Sequence, residues 1–276
     1  PIAEFYAISV DAREPYKIWG GTQDNGILGG EGKPMVLGEE HWYWSHGGDN
    51  YVTLIDPNNL DTMYAEGMFG SMARQDMKTG KNHGIRPGPA PEGEKLRFNW
   101  MTPFILSHYD SKTLYAGANY VFKSENRGDK WKRISPDLSN NLDPERQGDV
   151  PFGTITDISE SALKKGLLYA GTDDGQVHVT RDDGATWTKI NKGLPNRWVS
   201  RVVASKYDEG TVFVSLTGYR EDDFEAYLYM STDFGETWKS IVNNMPSESI
   251  NVIREDPTDK DILYVGTELG AYCSID

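Results

Sequence analysis

The sequence predicts an all-β fold, a β-propeller of four-stranded antiparallel blades with about six blades in this chain. Two repeats predict it. The first is a core strand in which an aromatic sits between apolar and small residues. It recurs as Ile18-Trp19-Gly20-Gly21, Met63-Tyr64-Ala65, Leu114-Tyr115-Ala116-Gly117, Leu168-Tyr169-Ala170-Gly171, Val212-Phe213-Val214 and Leu263-Tyr264-Val265-Gly266. Its aromatic falls at positions 19, 64, 115, 169, 213 and 264, a period that suits one four-stranded blade. The second is a turn, Ser231-Thr232-Asp233-Phe234-Gly235-Glu236-Thr237-Trp238, matched by Thr180–Trp187 and more loosely by Ser124–Trp131. Hardly any stretch carries helical periodicity.

Each core strand is preceded by an alternating strand, as in Ala7–Val10, Thr53–Ile55, Phe104–Leu106, Thr154–Thr156, Arg201–Val203 and Asn251–Ile253. The links between the two carry Asp, Pro and Asn, as in Asp56-Pro57-Asn58-Asn59, which reads as a hairpin turn. A third strand follows, for example Gln176–Thr180 and Tyr227–Met230, and a fourth begins at the tryptophan of the second repeat. The expected blades are 1–40, 41–95, 96–150, 151–195, 196–247 and 248–276. Only four residues precede the strand at Phe5, and Ser274-Ile275-Asp276 repeats the start of a turn. Both ends predict a piece of a larger propeller protein, with the remaining part of that protein as a partner.

The turn repeat has a local chemistry. Asp or Asn accepts backbone N–H groups, Gly takes a positive φ, and Trp lays an apolar face on the hairpin. The pattern resembles the Asp-box, S-x-D-x-G-x-T-W, of sialidase-like and sortilin-like propellers. A wider resemblance rests on Trp19–Gly26, Gly47-Gly48-Asp49, Phe98-Asn99-Trp100, Ile134–Leu138 and Asn251–Pro257. These residues are similar to the bacterial BNR-repeat, sortilin N-terminal-like "glycosyl hydrolase" family. That resemblance implies a secreted, periplasmic or cell-surface setting and further blades before this segment.

Composition narrows the function. The net charge is -14, with no Lys/Arg cluster to meet a phosphate backbone, so no nucleic acid is expected as partner. No run approaches the roughly 18 apolar residues of a spanning helix, so no membrane insertion is expected. Cys273 is the only cysteine and reads as a buried structural thiol. The five histidines show no metal-ligand spacing. No metal and no cofactor are predicted.

Antiparallel blades put the second-to-third strand turns, and the links between blades, at the end opposite the tryptophan turns. Candidate ligand-binding residues there are Gln23, Asn25, Trp42, Trp44, Trp100 and Arg220, with Arg254 after an inner strand and facing the central channel. Trp42 and Trp44 stand in His41–Asp49, where aromatic faces beside carboxylates suit sugar rings. Asp24 and Asp49 are the candidate catalytic pair, since two carboxylates about 5–9.5 Å apart can cleave a glycosidic bond. Turn capping is the competing role for both. The arginines do not form the set a sialidase needs. The expected function is recognition of a carbohydrate or peptide ligand. Glycoside hydrolysis and a structural role in a surface assembly are the alternatives.

Overall fold

The computed structural model describes residues 4–32, 42–90, 92–140 and 148–274. His41 and the Trp42 side chain lie outside the described set. The fold is the expected β-propeller, with six antiparallel sheets in chain order. The first blade holds β1 (Phe5–Val10), β2 (Lys17–Thr22), β3 (Gly26–Glu31) and β4 (Trp42–Ser45). The second holds β5 (Asn50–Ile55), β6 (Thr62–Gly67), β7 (Ser71–Asp76) and β8 (Asn82–Gly84). The third holds β9 (Phe104–Leu106), β10 (Leu114–Gly117), β11 (Val121–Ser124) and β12 (Lys132–Arg133). The fourth holds β13 (Ile155–Glu160), β14 (Leu168–Thr172), β15 (Val177–Thr180) and β16 (Thr188–Lys189). The fifth holds β17 (Trp198–Ala204), β18 (Val212–Gly218), β19 (Asp223–Ser231) and β20 (Lys239–Ser240). In the sixth, β21 (Ile250–Glu255), β22 (Leu263–Thr267) and β23 (Ala271–Ser274) are the three strands among the described residues. Because β4 ends at Ser45, the first blade runs past position 40 and takes Trp42 and Trp44 into its outer strand.

The chain divides into two compact units, Pro1–Ala116 with Phe122–Lys132, and Gly117–Val121 with Arg133–Asp276. Within the second unit the packing rule is plain. Successive strand residues point to opposite faces, so each blade has two faces to cover. On β18, Val212, Val214 and Leu216 pack with Tyr169, Val177 and Val179 of the fourth blade. The residue between, Phe213, packs with Leu228 against Ile250, Ile253 and Val265 of the sixth. The first unit repeats the pattern, with Trp19 and Ile27 against Met63 and Ala65. Tyr64, Met72 and Ile85 pack in the same way with Phe104, Leu114 and Ala116.

A bulge on the first strand adds polar ties between blades. The β13 register slips between Ile155 and Asp157, and the β17 register between Val199 and Arg201. The extra residue on each bulged strand turns away from its own ladder. Thr156 Oγ1 donates to the Val199 carbonyl at 2.6 Å, and Ser200 Oγ donates to the Ile250 carbonyl at 2.6 Å.

The tryptophan turns behave as small machines for closing hairpins. Ser231 Oγ accepts the Gly235 amide at 2.8 Å and donates to Asp233 Oδ1 at 2.6 Å. Asp233 also accepts the Thr237 amide at 2.9 Å and the Thr237 hydroxyl at 2.5 Å. Thr180, Asp182, Gly184 and Thr186 make the same four bonds. Two successive residues are left-handed in each turn, Asp183 and Gly184 at φ 58° and 87°, and Phe234 and Gly235 at 60° and 89°. The first of each pair is not glycine, so the side-chain bonds hold a conformation that L-residues resist. The tryptophan then reaches out of its blade. Trp131, Trp187 and Trp238 donate their indole N–H to the carbonyls of Ile85, Ile134 and Ile190 at 2.7, 2.7 and 2.6 Å. Those isoleucines each follow a fourth strand.

Cys273, expected inside, is exposed. It lies on β23, the last described strand of the sixth blade.

Two outcomes follow from these turns. Trp187→Phe keeps an apolar ring but loses one hydrogen bond, and should cost about 1 kcal/mol in urea unfolding. The bonds to Asp233 hold its carboxyl down at about 2. Its contribution to stability is therefore present above the unfolded value near pH 4 and fades as pH falls through about 2. Thermal melts from pH 5 to pH 2 should lose that part of their slope in Asp233→Asn.

Candidate functional site

In the second unit, a cavity of about 260 Å³ opens where the fourth and fifth blades meet, away from the tryptophan turns. Phe152, Asp173, Trp198, Thr217, Arg220 and Glu221 line it, with Gly218. Each side chain is placed by a local device. Asp173 sits in the β14–β15 turn, where Gly175 at φ 78° lets the chain pass against Asn196 and Arg197; a Cβ there would lie 2.5 Å from Asn196 Oδ1. Trp198 opens β17. Arg220 and Glu221 belong to a 3-10 turn, Tyr219–Glu221, between β18 and β19. That turn closes through Asp222 in the left-handed region at φ 57°.

The loop is clamped from outside the cavity. Arg197 bonds Asp223 at 2.8 Å and Glu221 at 3.2 Å, and the Tyr227 hydroxyl donates to Asp223 at 2.8 Å. With Glu221 and Asp223 held, the Arg220 guanidinium lies 4.1 Å above the Trp198 ring, a cation–π contact. Asp173 is almost fully buried and accepts the Gly153 amide at 2.9 Å, the Thr154 amide at 2.9 Å and the Thr154 hydroxyl at 2.6 Å. Burial still pushes its carboxyl up to about 6; the neighbouring Asp174 adds to the rise, and the three bonds oppose it. The cavity thus combines aromatic surface, a cation and two carboxyl groups, one of which changes charge near neutral pH. Such a mixture orients a polar ligand that also has an apolar face.

Among the sequence-predicted residues, Gln23, Asp24, Asn25, Trp44 and Asp49 come together in the first unit. Asp49 Oδ1 accepts the Asp24 amide at 2.8 Å, and the Trp44 indole donates to the Asn25 carbonyl at 2.8 Å. Asn25 bridges to Gly48, and the Asn25 amide side chain donates to the Gln23 carbonyl at 2.8 Å. Gly26 is required there, because a Cβ would fall 1.6 Å from the His46 carbonyl oxygen. Trp44 is 63% exposed, so its ring is open to solvent. The Asp24 amide takes one Asp49 oxygen, the bond a turn cap makes.

Trp100 packs edge-on against Phe69 at 5.2 Å, and its carbonyl accepts the Phe69 amide at 3.2 Å. The buried Glu66 accepts the Thr102 amide at 3.1 Å and so pins the segment that carries Trp100. Burial drives the Glu66 carboxyl well above its usual range. Arg220 is in the cavity. Arg254 is exposed on β21, its guanidinium donating to the Ile253 carbonyl at 2.7 Å. Among the described residues, no group of three or more His, Cys, Asp or Glu side chains is placed to hold a metal ion. Trp198 and Phe152 were not singled out by the sequence. The signal for Trp198 was a tryptophan outside the turn repeat, at the entry to a first strand.

Blades tied face to face by these turns define the chain as a β-propeller domain. Residues 97–271 match the family described as the DUF6242 beta propeller domain, and the chain belongs to that family. It is also similar to the xyloglucanase Xgh74A of Acetivibrio thermocellus, 26% identical over 132 residues, 43% of this chain and 16% of that protein. Among solved structures it resembles the GH74 enzyme of Niastella koreensis at 17% identity and a TM-score of 0.65, covering 99% of this chain and 44% of that one. The GH74 xyloglucanase of Xanthomonas campestris follows at 14% identity and 0.52, covering 99% and 52%. The chain therefore spans about half, or less, of the proteins it matches. At such identities the likeness to the solved structures is one of fold, and fold alone does not carry an activity.

The Asp173 carboxyl should titrate near pH 6. Its folded value lies above the unfolded one, so its contribution to stability is largest below about pH 4, falls as pH rises through 6, and then levels. Carboxyl-carbon NMR should report the titration directly, and Asp173→Asn should flatten that part of the stability curve.

Proposed function

We propose that this chain is the carbohydrate-recognising propeller domain of an exported protein, with the Trp198 cavity as the sugar site. One observation carries the reading. The Trp198 ring stands in a cavity whose polar groups, Asp173, Arg220, Glu221 and Thr217, surround it from two blades. A pyranose ring lays its C–H face on aromatic surface and gives its hydroxyl groups to carboxylates and guanidinium. About 260 Å³ suits a small unit, near the lower end of the roughly 300–1,000 Å³ of ligand pockets. The match to a xyloglucanase makes xyloglucan fragments the first ligands to try. The tryptophan turns are Asp-boxes in this reading and serve the scaffold. Export follows the family resemblance; no helix among the described residues is long and apolar enough to cross a membrane.

Calorimetry with xyloglucan oligosaccharides, other glycans and peptides tests the site. Trp198→Ala should weaken sugar binding at least about tenfold, in line with loss of about 1.4 kcal/mol of contact, with the circular dichroism spectrum unchanged. Peptide binding without any sugar binding would overturn the reading.

Glycoside hydrolysis by Asp24 and Asp49 is the second reading, favoured by their meeting at one junction. Catalytic carboxylates there should make Asp24→Asn and Asp49→Asn lose about a hundredfold or more in hydrolysis while still binding sugar. Unchanged rates in both variants leave them as turn caps.

A further inference from the structure

The seam between the fourth and fifth blades and the seam between the fifth and sixth present the same backbone to opposite charges. A first strand has a ladder partner on one edge, so the amides of alternate residues point off the other edge. On β17 the Ser205 amide donates to the Thr211 carbonyl across the hairpin at 2.9 Å, which sends the Val202 and Ala204 amides outward. Side chains of β13 take both. Asp157 Oδ2 accepts the Val202 amide at 2.8 Å, and Ser159 Oγ accepts the Ala204 amide at 3.0 Å. On β21 the Asp256 amide donates to the Ile262 carbonyl at 3.0 Å, so the Ile253 and Glu255 amides point outward in the same phase. The β17 residues in the register of Asp157 and Ser159 are Arg201 and Val203. Neither side chain can accept a hydrogen bond.

The two seams are set at the same offset, since Thr156 meets the Val199 carbonyl as Ser200 meets the Ile250 carbonyl. Arg201 therefore comes to the Ile253 amide where its counterpart brings a carboxylate. Arg254, the next residue on β21, adds a second guanidinium. Each donates to the carbonyl of the residue before it, Arg201 to Ser200 at 2.7 Å and Arg254 to Ile253 at 2.7 Å. Among the described residues neither has a carboxylate within ion-pair distance. Water reaches the Arg254 side chain, yet the protein packed around it, and then the Arg201 charge, hold its guanidinium below the usual range, with Asp157 opposing. Two like charges beside an outward amide are donors without an acceptor. We propose that Arg201, Arg254 and the Ile253 amide bind a small oxyanion, which takes the place that the Asp157 carboxylate fills in the neighbouring seam. A planar guanidinium offers two parallel N–H groups to the oxygens of a carboxylate or a phosphate, so both anions fit these donors. The site shares no residue with the Trp198 cavity and stands independently of it.

The full chain with labelled arginines, titrated by NMR with sodium phosphate and with sodium acetate at constant ionic strength, tests the site against sodium chloride. The Nε–H signals of Arg201 and Arg254 should move together and saturate with phosphate, acetate or both, while chloride leaves them in place. The arm that saturates names the oxyanion. Arg254→Gln should weaken that binding at least about tenfold, as loss of a hydrogen bond to a charged group does. Arg201→Asp is the sharper variant, because it restores the arrangement of the neighbouring seam. It should abolish binding, slow hydrogen exchange at the Ile253 amide, and leave the melting temperature no lower than that of the parent chain. Shifts that rise without saturating, or that saturate equally with chloride, overturn the proposal. Undiminished anion binding in the folded Arg201→Asp chain overturns it as well.

Discussion

A blade of this protein cannot cover itself, and the rest of the structure follows from that. A four-stranded sheet of alternating residues presents apolar side chains on both faces. Val212 and Phe213 are neighbours in sequence, yet one enters the core shared with the fourth blade and the other the core shared with the sixth. Either face left bare would put its aromatic or aliphatic residues in water, at roughly 25 cal/mol per Å². Fold stability is therefore a property of interfaces between consecutive blades. This is why the same residue types recur at a fixed period: each second strand must present an aromatic on one side and aliphatic residues on the other.

Apolar packing sets the spacing of blades but is indifferent to sliding along the strands. The polar contacts remove that freedom. Each indole N–H meets one carbonyl, at the isoleucine after a fourth strand, and each bulge hydroxyl meets one carbonyl on a first strand. These bonds act at different places on the sheet, the indole near the outer strand and the hydroxyl on the inner one. Together they fix both translation and tilt of one blade on the next. The left-handed pair at Phe234 and Gly235 then has a purpose, because only a turn that tight aims the following tryptophan across the seam.

How much of this the sequence could reveal depended on whether the information was local. Blade number, strand order and the tryptophan turns were legible, since hairpin chemistry and period are written in short segments. The sequence paired Asp24 with Asp49 across adjacent blades, and the structure brings these two together with Gln23, Asn25 and Trp44 because all five lie within one blade and its exit. The chemistry of the pair was less legible: the Asp24 amide already holds one Asp49 oxygen. The Trp198 cavity was not found as a unit, although Arg220 was named. Its walls come from residues 152, 173, 198 and 217–221, brought together only by packing of two blades. Cys273 failed for a related reason. Its alternating neighbours look like a core strand, yet the thiol is exposed, because alternation marks two faces without saying what packs on either.

The site and the seam are consequently one object. Asp173 is buried against Gly153 and Thr154 at the entry to the fourth blade, and two residues on, Gly175 meets Asn196 and Arg197 of the segment that leads into β17. The same Arg197 holds Asp223 and Glu221, which fix the loop that carries Arg220 over Trp198. Loosening of the fourth blade against the fifth would open the Asp173 side of the cavity, while Arg220 and Trp198, both of the fifth blade, keep their contact. A ligand that fills the cavity contacts both blades, so it stabilises the seam by mass action whenever it binds the closed arrangement better than the loosened one. Recognition and blade packing are then coupled through a single pair of sheets.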